Sequence, residues 1–154
     1  MKKLTIGLLS LLLFQPISVY ACLLHAAFSK DIDQPPGALW VQIQTQVLMQ
    51  EGKLSPTRLL ESDAGFRQVH WWLTLLSKEL YDTGQEDTYL YLVDIGLWVK
   101  YQRSGGGKLE YEVFPDTNNE SVIILARQTL HAIVSEQMTL AKALDMEVVA
   151  NTER

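Results

Sequence analysis

Apolar and polar positions change period several times along this chain, and each change marks an element. Phe66, Val69, Leu73, Leu76 and Leu80 recur at the helical period with Trp72 and Leu75 beside them, which predicts a helix over 66–80. Ser62 or Asp63 can cap its start, and Gly84 stands just past its end. The densest run of aromatic and β-branched residues follows, from Tyr89 to Tyr101. As one strand it would be about twice the usual 5–6 residues. The Asp94-Ile95-Gly96 interruption therefore predicts a tight turn between two strands, 88–93 and 97–102. Residues 108–114 alternate, with Leu109, Tyr111 and Val113 on one face and Glu110 and Glu112 on the other, as a half-exposed antiparallel strand does.

Beyond the loop Pro115-Asp116-Thr117-Asn118-Asn119, residues 121–125 read as a short buried strand. Leu130, Ile133 and Val134 mark one small helix. Leu140, Ala143 and Leu144, behind Thr139 as a cap, mark a second, and 147–150 is a last extended piece. The stretch 39–51 carries two patterns at once. Val41, Ile43, Thr45 and Val47 alternate with glutamines as in a strand, while Trp40, Ile43, Val47 and Leu48 make a helical stripe. Gly52 at the end and the helix preference of glutamine select the helix. Ser55-Pro56 reads as a hydroxyl cap with proline in first position, which predicts a short helical turn to about residue 61. The sum is an α+β fold: a small, mainly antiparallel sheet (hairpin 88–102, strands 108–114 and 121–125) covered on one face by helices, the 66–80 helix among them.

The N-terminus changes the picture of where this domain works. Met1-Lys2-Lys3 is a short positive start, Leu4 to Phe14 is apolar, Pro16 breaks the run, and Val19-Tyr20-Ala21 supplies small residues for cleavage. The apolar run is shorter than the ~20 residues of a spanning helix, so residues 1–21 read as a bacterial secretory signal peptide. The single domain is then 38–150, with a tether at 22–37 ending in Pro35-Pro36-Gly37 and a tail at 151–154. The expected location is the periplasm, or the membrane surface through Cys22. Val19-Tyr20-Ala21-Cys22 resembles the lipobox of bacterial lipoproteins, and that resemblance implies acylation of Cys22; the alternative is a cysteine that merely follows a cleavage site. As the only cysteine, Cys22 rules out an intrachain disulfide. The formal charge of −5 becomes −7 without Lys2 and Lys3. A surface this acidic excludes a phosphate-backbone partner, so nucleic acid is not expected.

Candidate chemistry is sparse. Arg103-Ser104-Gly105-Gly106-Gly107-Lys108 fails as a phosphate loop, since Gln102 and Leu109 stand where a glycine and a hydroxyl residue belong, and it reads as a hairpin connection. No Gly-x-Ser-x-Gly turn is present. The histidines are His25, His70 and His131. Cys22 and His25 have a spacing metals use but lack a second pair, so neither metal nor cofactor is expected. His131 reads as solvent-facing on its helix. Asp94 is the one carboxylate within the apolar centre, placed to cap the turn or to orient a ligand. Trp40, Trp71, Trp72 and Trp98 are too many large rings for a domain this small to bury completely, so some should line an apolar binding surface.

From about Thr88 onward, the order of meander, acidic proline loop, short strand, two small helices and terminal strand resembles the sterol-carrier-like fold. Ser121-Val122-Ile123-Ile124, Leu130, Ile133, Val134, Thr139, Ala143 and Val148-Val149 are similar to that family's closing segment, while Glu136 and Asp145 stand where it often has glycine. The resemblance implies a sheet with helices on one side of an apolar tunnel, and a carrier of lipid-like molecules without catalytic residues.

The sequence thus points to an exported, non-catalytic binding protein, a carrier of a lipid-like or aromatic ligand held by Trp72, Trp98, Trp71 and Asp94. The alternative is an accessory protein that docks another envelope component through its aromatic surface. An enzyme using His70 and Asp94 is the third reading.

Overall fold

The computed structural model describes residues 34–58, 60, 62–116 and 120–152. The expected signal peptide, Cys22, His25 and the expected tether as far as residue 33 lie outside the described residues. In chain order the elements are α1 (Ala38–Gln50), α2 (Ser62–Asp82), β1 (Thr88–Leu92), β2 (Leu97–Gln102), β3 (Lys108–Tyr111), β4 (Val122–Leu125), α3 (Arg127–Val134), α4 (Leu140–Asp145) and β5 (Val149–Asn151). The strands form one sheet in the order β3-β2-β1-β4-β5. Every pairing is antiparallel except β1 with β4, which is parallel. The α+β class and the mainly antiparallel sheet expected from the residues are those observed.

Strand pleating sends alternate side chains to opposite faces, and the register assigns each one. Leu90, Leu92, Val99, Tyr101, Leu109, Tyr111, Ile123, Leu125 and Val149 share one face. Against it pack Val69, Trp72, Leu73, Leu76 and Leu80 of α2, Leu130 and Ile133 of α3, and Ala143 of α4. Each large side chain so buried stabilises the fold by about 1.5–3 kcal/mol. Tyr89, Tyr91, Trp98, Val122 and Ile124 project to the other face and are buried too. α1 packs against β4 and β5.

Several expected boundaries shift, each for a local reason. Phe66 lies outside the buried stripe of α2 and is exposed, and Gly65 takes the inward place. A Cβ on Gly65 would collide with the Leu60 carbonyl, so this glycine lets the preceding loop pass close over the helix. The loop makes no helical turn after Ser55-Pro56 among its described residues. Its polar backbone groups are satisfied by Gln68 of α2 instead, which accepts from Leu60 N at 3.0 Å and donates to Arg58 O at 3.1 Å. β3 stops at Tyr111 because Glu112 turns left-handed (φ 59°), although its N–H still reaches Trp98 O at 2.9 Å. The glycine-rich stretch after Gln102 is the expected hairpin connection, with Gly106 and Gly107 at positive φ.

The four described helices, α1 to α4, end in the same hydrogen-bonded motif with a left-handed residue one past the C-cap. That residue is Gly52 for α1 and Gly84 for α2, but Glu136 for α3 and Glu147 for α4. Glutamate is doubly unsuited there: its Cβ strains the left-handed backbone, and its charge meets the negative end of the helix dipole. Glu136→Gly is expected to stabilise the protein by about 1 kcal/mol. A urea midpoint unchanged or lowered at constant m-value would contradict this.

Candidate functional site

Helix α1 is uncharged along all 13 residues, and it is apolar on two sides. Gly37, with φ 91°, starts it, and Gly52 ends it. Ala38, Val41, Thr45 and Leu48 form its buried side, with Thr45 Oγ1 bonded to Val41 O at 2.8 Å and 3.5 Å from Thr129 Oγ1 of α3. On the opposite side Leu39, Trp40, Ile43 and Val47 remain 62, 52, 45 and 38% exposed. Of the helical stripe Trp40, Ile43, Val47 and Leu48 read from the sequence, only Leu48 is buried. Trp40 is exposed but not loose, because its indole Nε1 donates to Glu147 Oε2 at 2.8 Å. Leu144, also exposed, accepts at its carbonyl from the Glu147 N–H. The result is an apolar outer face built on a rigid element, with glutamines 42, 44, 46 and 50 beside it.

The residues expected to hold a ligand occupy four different settings. Trp72 is buried on the helix-covered face, its ring 4.9 Å from that of His131. Trp98 is buried on the opposite face, 4.7 Å from Tyr91, with Tyr89 and Phe114 at 6.4 and 6.3 Å. The Trp98 Nε1 has no hydrogen-bond partner among the described residues. Trp71 projects outward from α2, 60% exposed. Asp94 belongs to the β1–β2 turn and binds Arg127 twice: Oδ1 accepts from its backbone N at 3.1 Å and Oδ2 from its Nε at 2.6 Å. Ala126, the residue before α3, has no side chain that can cap it, so Asp94 does so from 33 residues away. The carboxylate therefore fastens a turn to a helix start. Cys22 lies outside the described residues.

His70 stacks on Phe66 and lies 5.1 Å from the Tyr111 ring, so it and Asp94 share no hydrogen bond and form no acid–base pair. His131 is half-buried, not solvent-facing, with Nδ1 at 2.9 Å from Thr57 Oγ1. Among the described residues no three His, Cys, Asp or Glu side chains are grouped to hold a metal, and no helix is long and apolar enough to cross a membrane. Burial raises the tyrosine pKa values at positions 89, 91, 101 and 111 above the ordinary phenol value, most simply at Tyr91 and Tyr111 where desolvation is the sole cause. Lys108 holds the Glu110 carboxyl below its usual range across the β3 surface.

No family model, curated protein or solved structure matches this chain. The element order behind the sterol-carrier resemblance, meander to terminal strand, is present in the fold. Sequence reasoning missed Leu39 and Glu147 as surface residues of interest. The signal that could have found Leu39 was there in 39–51, where apolar residues fit two periods at once.

Asp94→Ala leaves Arg127 unpaired and α3 uncapped, and should cost about 2–3 kcal/mol in urea unfolding; Asp94→Asn, which keeps an acceptor, should cost about 1 kcal/mol. Equal losses would show that the charge contributes nothing. The buried tyrosines favour the neutral phenol in the folded state, so their contribution is intact below pH ~10 and is lost as pH rises through their raised folded values. Phenolate absorbance should therefore lag behind that of the urea-unfolded chain, with stability falling above about pH 10. Coincident titration curves for folded and unfolded protein would refute it.

Proposed function

We propose that this chain is an exported, non-catalytic binding protein that docks another protein of the bacterial envelope through the outer face of α1. The observation that carries the proposal is the row Leu39, Trp40, Ile43 and Val47, exposed together on one uncharged helix. Single exposed apolar residues are ordinary, whereas a contiguous row with an oriented tryptophan has the make-up of an interface core. The leader and Cys22 support delivery to the periplasm, with acylation of Cys22 as the tether, and the acidic surface argues against nucleic acid. One observation favours the carrier reading as a second function. Trp98 is 4% exposed and, among the described residues, its Nε1 has no partner beside Tyr89, Tyr91 and Phe114, a setting that suits an aromatic ligand bearing an acceptor.

A benzophenone amino acid at position 43 or 47 should form adducts with an envelope protein in intact cells, and one at exposed position 78 of α2 should not. Trp40→Ala combined with the probe at 47 should lower the yield about tenfold. Equal labelling from 43, 47 and 78 would remove the proposal.

A further inference from the structure

We infer that the protein docked on α1 is a second copy of this chain, joined by an antiparallel α1–α1 pair that centres on Ile43 and is anchored by Trp40. This inference rests on the docking reading above and names its partner.

α1 has no Lys, Arg, Asp or Glu in 13 residues, although the chain as a whole carries −5. A charge-selected partner would find nothing on this helix to recognise. A bilayer surface is equally ill-matched, because interfacial helices use Lys and Arg to reach headgroups and an acidic protein is repelled by anionic lipid. An uncharged face of aliphatic residues bordered by glutamines is complemented by another of the same kind, and side-chain amides, being both donors and acceptors, pair with themselves.

Leu39 and Val47 stand four residues either side of Ile43, all on the outer face. A two-fold axis at Ile43 sets Ile43 against Ile43 and Leu39 against Val47 of the second copy, the self-complementary arrangement of an isologous dimer.

Glu147 occupies a left-handed position at the end of α4 that glycine would relax, and its carboxylate holds the Trp40 indole at 2.8 Å. Trp40 is thus oriented before any partner arrives, which lowers the ordering cost of association. Glu147 is a positioning residue for that anchor. A helix of this length is about 20 Å long. The outer face of a helix this short offers less than the ~800 Å² per partner of a standard interface. The dimer should therefore be reversible, with a micromolar dissociation constant.

The test uses the full chain carrying Cys22→Ser, so that each introduced thiol is alone. Ile43→Cys should oxidise to a covalent dimer much faster than Lys78→Cys, and a mixture of Leu39→Cys with Val47→Cys should cross-link faster than Leu39→Cys alone. Without added thiols, sedimentation equilibrium should show a concentration-dependent rise to the mass of two chains. Trp40→Ala should raise the dissociation constant about tenfold. Glu147→Gly should raise it about threefold without lowering the urea midpoint, a combination that a purely structural role would not produce. One-chain mass at every concentration, with Ile43→Cys no faster than Lys78→Cys, would overturn the inference. If adducts from position 43 to a different envelope protein persisted in that case, the docking reading would stand without it; their absence as well would end both. Faster Leu39 self-linking than Leu39–Val47 linking would overturn the antiparallel geometry.

Discussion

The seam between β1 and β4 is the constraint on which the rest of the structure depends. It is the one parallel pairing in the sheet, and it joins the locally folded meander β1–β3 to the C-terminal unit of β4, α3, α4 and β5. Parallel neighbours cannot be linked by a tight turn, so their register has to be set by contacts remote in sequence. Here it is fastened at both ends with a constant separation of 33 residues. Thr88 Oγ1 donates to Ser121 O at 2.9 Å at the start, and Asp94 grips Arg127 at the finish. A slip of one residue would break both clasps and turn Leu90 and Leu92 to the wrong face.

With the seam in place β1 becomes the central strand, buried on both faces, and helices can cover one side of the sheet. The tryptophans then part company. Trp71 and Trp72 are adjacent on α2, yet about 100° of helical rotation leaves one in water and one against His131. Trp98 joins a tyrosine cluster on the opposite face, and Trp40 stands outside, held by Glu147. Tryptophan count alone suggested one aromatic surface; the fold distributes the rings among four environments, and only Trp40 lies in a row of exposed apolar neighbours. That row, not a shared aromatic cavity, is what makes docking the better reading.

The helix ends show where local preference yields to other demands. α1 and α2 stop at glycines in the position where a left-handed backbone is needed, whereas α3 and α4 stop at glutamates. At Glu147 the carboxylate has a partner in Trp40, so the strain coincides with an oriented surface residue. Among the described residues Glu136 has no comparable contact. Two chemically identical irregularities therefore have different standing, and only the spatial neighbours separate them.

Local chemistry carried much of the architecture. The Asp94-Ile95-Gly96 turn, the glycine-rich hairpin, Thr139 as the cap of α4 (its Oγ1 accepts from Lys142 N at 3.1 Å) and the stops at Gly52 and Gly84 are all legible because each depends on residues a few positions apart. What the sequence could not assign was the face each stripe meets. In α1 the alternation Val41, Ile43, Thr45, Val47 is a strand pattern wound on a helix, where steps of two residues fall about 200° apart and so alternate between inside and outside. Which of the two sides lies against β4 and β5, that Gly65 and not Phe66 turns inward, and that Asp94 finds Arg127 are decided by packing between segments distant in the chain. Periodicity reports that a face is apolar; only the tertiary partner determines whether it is buried.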